Sequence, residues 1–177
     1  MNENAPSLLG PWSPFYATIA TSVAALIGLM FVVITLVVSA GRKNTSHDGL
    51  ATFSTPTVVH FCAALVASVV LVAPWRSVTG PGAIIAVIGA FGAIYVMRIT
   101  IRTRRQSAYT PDFEDWSWYS AVPLVTYIVV CAGGLLLLRA TATGLVALAI
   151  GLVLLMLTAI RNAWDVVTYL AIDRDDA

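Results

Sequence analysis

Charge is what this 177-residue sequence has least of: ten Lys and Arg against nine Asp and Glu, 11% of the chain, for a net charge of +1. Soluble domains carry roughly 25% charged residues, and so few charges cannot cover the surface of a chain that is 59% hydrophobic. A water-soluble globular fold is thereby excluded, and a mean hydropathy of +0.87 agrees. The near-zero net charge also removes the electrostatic attraction that nucleic-acid binding requires, so no nucleic-acid partner is expected. Two cysteines are too few for a disulfide scaffold, and the abundance of apolar residues argues against a disordered chain.

Chemical motifs are equally scarce. The sequence contains no Gly-x-Ser-x-Gly, no phosphate-cradling glycine loop, no His-Glu-x-x-His and no Cys-x-x-Cys. Neither His47 nor Cys62 nor Cys131 has a partner at metal-ligand spacing, and only one histidine, His60, falls inside a long apolar run. No metal, no cofactor, including a bis-histidine haem within one subunit, and no catalytic residue are therefore expected.

What the chain does have is long apolar runs. A helix needs about 20 mostly apolar residues to cross a hydrocarbon core of about 30 Å, and five stretches qualify: residues 16–38, 56–73, 82–101, 118–138 and 142–160. They are continuous, not alternating, which excludes β-barrel strands. The first has no basic residue before it, only Glu3, and is too long for a signal-peptide core, so it reads as a retained helix. The fold class expected is an all-α, polytopic integral membrane protein, a single transmembrane helical domain over residues 1–177. Its loops are too short for a second module, and no internal repeat is visible.

Orientation follows from the basic residues. With five spans, one side receives Arg42, Lys43, Arg98, Arg102, Arg104, Arg105, Arg161 and Arg174, while the other receives only Arg76 and Arg139. Four-span alternatives scatter these charges more evenly. The expectation is five transmembrane helices with the N-terminus outside and the C-terminus cytoplasmic, multi-pass in the cell membrane, or the cytoplasmic membrane of a bacterium.

Local chemistry refines the helices. Thr55-Pro56 and Thr110-Pro111 each offer a hydroxyl N-cap followed by Pro at the first helical position. Asp112, Glu114 and Asp115 would then complement the dipole at the start of the fourth helix. Phe113, Trp116, Trp118 and Tyr119 suit an aromatic belt at headgroup depth, and Pro123 should bend the helix just inside the membrane. Beyond Ile160 the apolar residues Ala163, Val166, Val167 and Leu170 oppose Arg161, Asp165 and Thr168, which predicts an amphipathic extension over about 161–172. Small residues at four-residue spacing suggest contact faces: Gly82, Ala86 and Ala90, then Gly89 and Ala93, then Thr143, Ala147 and Gly151. Cys62 and Cys131 should lie roughly 9 Å apart in depth, beyond the reach of a disulfide, and so remain free thiols.

One constellation emerges from this topology. His60, Arg98, Glu114, Asp115, Arg161, Asn162 and Asp165 would share a cytoplasmic-side polar layer, with Arg98 or Arg161 placed to pair with Glu114 or Asp115. The ordinary imidazole pKa near 6.5 would suit His60 to a pH response. Against this, Arg98 and Arg161 can snorkel to lipid phosphates and the acids can serve a helix dipole. The function expected is therefore a small non-enzymatic subunit that meets the lipid bilayer and packs as a homo-oligomer or with a partner membrane protein. The alternative is a channel or permease subunit with a pH-responsive polar layer.

Overall fold

A computed structural model describes residues 5–39, 47–105 and 116–172 of the chain. Among them every regular element is helical. A short helix, α1 (Ala5–Leu9), leads through a 3₁₀ turn (Gly10–Trp12) into α2 (Ser13–Ser39). Then come α3 (His47–Val72), α4 (Thr79–Arg105), a π-helical turn (Ser117–Ala121), α5 (Val122–Leu137) and α6 (Ala142–Ile172). Four helical stretches, Ser7–Leu36, Thr79–Arg102, Ser117–Leu137 and Ala142–Asp165, are long and apolar enough to cross a membrane, and a shorter apolar stretch covers Pro56–Val72.

Several local expectations meet a different outcome. The Thr55-Pro56 pair does not begin its helix, because α3 starts at His47 and carries Pro56 in its interior. A proline there removes one backbone hydrogen bond, and the apolar helix that follows continues regardless. The Thr110-Pro111 start and Asp112 lie outside the described residues. At Pro123 the accommodation is a change of helical register. The N–H of Val122 reaches back to the carbonyl of Ser117, closing a π turn immediately before the proline. Widening the turn there relieves the proline ring of its clash with the carbonyl four residues earlier. At the other end of the chain α6 is one unbroken helix of 31 residues, about 46 Å at 1.5 Å per residue, so the 161–172 segment continues the span.

The helices pack in a definite order. α5 lies between α4 and α6, and α3 packs against α2, α6 and α4. The buried stripe of α6 runs Leu145, Leu148, Leu152, Leu155 and Ala159, spaced alternately three and four residues. On α3 it runs Thr57, His60 and Phe61, Ala64, Ala67 and Ser68, then Leu71. Both stripes repeat every seven residues, the period that keeps one seam of a helix facing its neighbour. The remaining surface is apolar too: Phe31, Val87, Phe91 and Ile128 are all more than half exposed, as a lipid-facing surface should be.

Glycine decides how closely α4, α5 and α6 approach. A methyl group on Gly134 would stand 2.5 Å from the backbone nitrogen of Ala86, and one on Gly89 would strike the backbone of Cys131. One residue before Gly134, Gly133 faces the other neighbour: its added methyl would meet the Leu148 side chain at 2.8 Å and the Gly144 carbonyl at 3.2 Å. Adjacent glycines on α5 thus admit a different helix on each side. The small-residue stripes are shifted from the expected ones. Ala90 and Thr143 are exposed, while Gly92 and Gly144 take contact positions.

At the end where α2 begins, Trp12 stacks on Tyr16 with ring centroids 6.1 Å apart. The Tyr16 hydroxyl donates a 2.7 Å hydrogen bond to the Leu145 carbonyl at the start of α6. This contact brings the starts of α2 and α6 to the same end of the bundle.

Candidate functional site

Of the seven residues expected in one polar layer, Glu114 and Asp115 lie outside the described residues. The other five fall into three environments. Arg98 is exposed on α4 and has no ion pair among the described residues. Arg161 and Asp165, one turn apart on α6, form an ion pair with side chains 34% and 29% exposed. His60 and Asn162 are buried, at 1% and 0% exposure.

His60 belongs to a level of its own. It lies twelve residues, about 18 Å, before the end of α3 and one turn after Pro56, where the shorter apolar stretch of this helix begins. Its Nδ1 lies 3.0 Å from the Tyr127 hydroxyl on α5. A phenol can donate to an imidazole or accept from it, so the pair is satisfied with either tautomer. The Tyr127 ring fits against Gly92 of α4, where any side chain would collide with it. One hydrogen bond thereby ties α3 to α5 while the same ring fills a notch in α4.

Eight residues earlier on the same run of helix, Tyr119 makes another inter-helix polar contact. Its hydroxyl donates to Asp165 Oδ2 at 3.5 Å, the outer limit of a hydrogen bond. Tyr119, Arg161 and Asp165 form a half-exposed group about 12 Å from the His60–Tyr127 pair along the helix, so the two levels make separate networks.

Asn162 follows the buried stripe of α6 in register, three residues after Ala159 and seven after Leu155, which is why it faces inward although Arg161 and Asp165 do not. Among the described residues neither its Nδ2 nor its Oδ1 has a hydrogen-bond partner, and the Ser68 hydroxyl on α3 is likewise buried without one. The hydroxyls of Thr126 and Thr158 return to the carbonyls of Val122 and Leu154 in their own helices and leave nothing unsatisfied. Cys62 and Cys131 are free thiols. Among the described residues no three His, Cys, Asp or Glu side chains gather as a metal site would require.

Tyr127 was the partner the sequence reading missed. A tyrosine in mid-span needs somewhere to place its hydroxyl, and a mid-span histidine needs the same. Two such demands in one otherwise apolar bundle are the signal that could have paired them.

By fold and composition this is an all-helical chain, with four helices among the described residues long and apolar enough to cross a membrane. Compared with known proteins, it matches no family model, no curated protein and no solved structure.

Proposed function

We propose that the protein is a small, non-enzymatic, multi-pass subunit of a cell membrane, which assembles with a second copy or with a partner membrane protein through its apolar outer surface. In this reading α3 completes a set of five crossings, with the N-terminus outside and the C-terminus in the cytoplasm, as the eight-to-two distribution of basic residues favours. The observation that carries the proposal is how the middle of the bundle is used. Gly89, Gly92, Gly133 and Gly134 bring backbones and rings into direct contact there, and His60 is occupied by Tyr127. A substrate or ion pathway needs a polar, open interior, whereas these contacts favour function at the periphery.

A second reading, a channel or permease subunit with a pH-responsive inner layer, draws on the two orphaned polar groups. Asn162 and Ser68 are buried without partners among the described residues, and such groups in membrane helices can line a hydrated path.

Reporter fusions at Asn2 and Ala177 test the topology, with the first expected outside and the second inside. Finding both ends on one side removes the five-crossing arrangement. Purified protein in proteoliposomes tests the rest: no proton or ion flux is expected at any pH between 5 and 8, with covalent cross-linking capturing an oligomer. Flux that disappears in Asn162→Leu would replace the proposal with the channel reading.

A further inference from the structure

The stretch of helix just ahead of α5 is held on one side and unsupported on the other. A groove of about 230 Å³ separates it from α4, with Met97, Thr100 and Ile101 on one wall and Trp116, Ala121 and Leu124 on the other. On its opposite side it meets α6 through the Tyr119–Asp165 contact, which at 3.5 Å is as long as a hydrogen bond can be.

This stretch also ends in a break of the hydrogen-bond ladder. Val122 gives its N–H to Ser117, so the Trp118 carbonyl loses its α-helical donor. The donor a π-helix would offer in its place belongs to Pro123, which has no N–H. Helices bend sharply at prolines and π turns because such a gap no longer ties one turn to the next.

The seat against α6 is costly. Asn162 lies eleven residues beyond Gly151, about three full turns at 3.6 residues each, so it keeps the face that Gly151 turns toward Val130 of α5. The antiparallel register that sets Gly144 beside Leu137 and Gly151 beside Val130 brings Asn162 level with Tyr119. The π-helical stretch therefore lies over an amide that is 0% exposed and has no hydrogen-bond partner among the described residues. Burying an amide without a partner is unfavourable. Arg161 and Asp165, within a turn of it, are partly exposed, so an amide uncovered at this level would find partners.

We propose that residues 116–121 pivot at the π turn between two seats: the one against α6 described above, and a second that fills the groove beside α4 and uncovers Asn162. The second seat gives up one long hydrogen bond and relieves one stranded amide. The two are therefore close in free energy, the condition for both to be populated. This goes beyond the reading of function above, since it gives the bundle a moving part whether or not anything passes through it.

Full-length protein carrying fluorinated tryptophan, held in lipid nanodiscs, tests the pivot by fluorine NMR. Trp116, at the groove, should give two lines or one line broadened by exchange, assigned by its loss in Trp116→Phe. Trp12 and Trp75, near the starts of α2 and α4, should each give one sharp line. Ala121→Leu, which fills the groove, should leave a single sharp Trp116 line. Asn162→Leu, which removes the stranded amide, should lower the second population at least about fivefold, and Asn162→Ala gives the same reading should the leucine not be accommodated. A single sharp Trp116 line in the parent overturns the proposal. So do two lines that persist unchanged in both Ala121→Leu and Asn162→Leu. Equal splitting of Trp12 and Trp75 overturns it as well, because the exchange would then belong to the whole bundle and not to this turn.

Discussion

Tyr127 and Tyr119 are the same residue type, eight positions apart on one run of helix, and each places its hydroxyl near a polar side chain of another helix. Tyr127 is completely buried and sits 3.0 Å from His60. Tyr119 is half-buried and sits 3.5 Å from an Asp165 that already has Arg161 for company. The difference teaches that depth sets what a polar contact is worth here. Where both partners are fully buried neither has water to fall back on, so breaking the pair strands a group. Where they are partly exposed, solvent replaces whatever is lost.

The severest test of that contrast goes through Gly92, which has no polar atom of its own in the side chain. Any side chain at this position would overlap the Tyr127 ring, so the ring must leave its notch and abandon His60. Gly92→Val should cost about 3 kcal/mol or more, the upper range for overpacking a core. Unfolding of purified protein in detergent by added denaturing surfactant is the measurement, and an unchanged midpoint would show that the ring does not depend on this notch.

Removing single hydroxyls gives a medium effect at one level and almost none at the other. Tyr127→Phe leaves a buried imidazole nitrogen without its partner and should cost about 1–2 kcal/mol, given that inter-helix hydrogen bonds in membranes seldom exceed 1.7. Tyr119→Phe should cost less than about 0.5 kcal/mol. If the two substitutions prove equal, depth is not the governing variable and the contrast fails.

The smallest effect belongs to the ion pair. Arg161 and Asp165 are spaced i,i+4 with the basic residue first, the less favourable order along a helix, and both are partly exposed. Arg161→Gln and Asp165→Asn should each change stability by about 0–1 kcal/mol, with a coupling of a few tenths in a double-mutant cycle that fades at high salt. A coupling of several kcal/mol would mean that the pair is desolvated, and would move this level into the same category as His60–Tyr127.

Much of this arrangement was legible before any coordinate. The apolar runs marked every long helix, and the periodicity beyond Ile160 anticipated that α6 would continue to Ile172. The depth difference between Cys62 and Cys131 anticipated free thiols. The small-residue stripes pointed at the correct helices, but to only some of the correct residues. Gly82, Gly89 and Gly151 make close contacts, yet Ala90 and Thr143 face outward, and Gly133 with Gly134 escaped notice. The sequence groups His60 with Arg161 and Asp165, whereas their partners, Tyr127 for His60 and Tyr119 for Asp165, lie about 12 Å apart along one run of helix.

The sequence by itself determined that this chain is helical and suited to a membrane, because length and hydropathy are additive along the chain and need no neighbour to be read. It also determined that ionisable groups would be few. Only the tertiary structure decided which face of each helix turns inward. In water an amphipathic pattern announces the buried face, but lipid is as apolar as the core, so a helix that is apolar all round carries little record of its orientation. Facing is then chosen by fit. A glycine lies where a backbone must pass, Tyr127 lies where Gly92 leaves room, and Asn162 is carried inward by a seven-residue stripe that its own polarity would not have predicted.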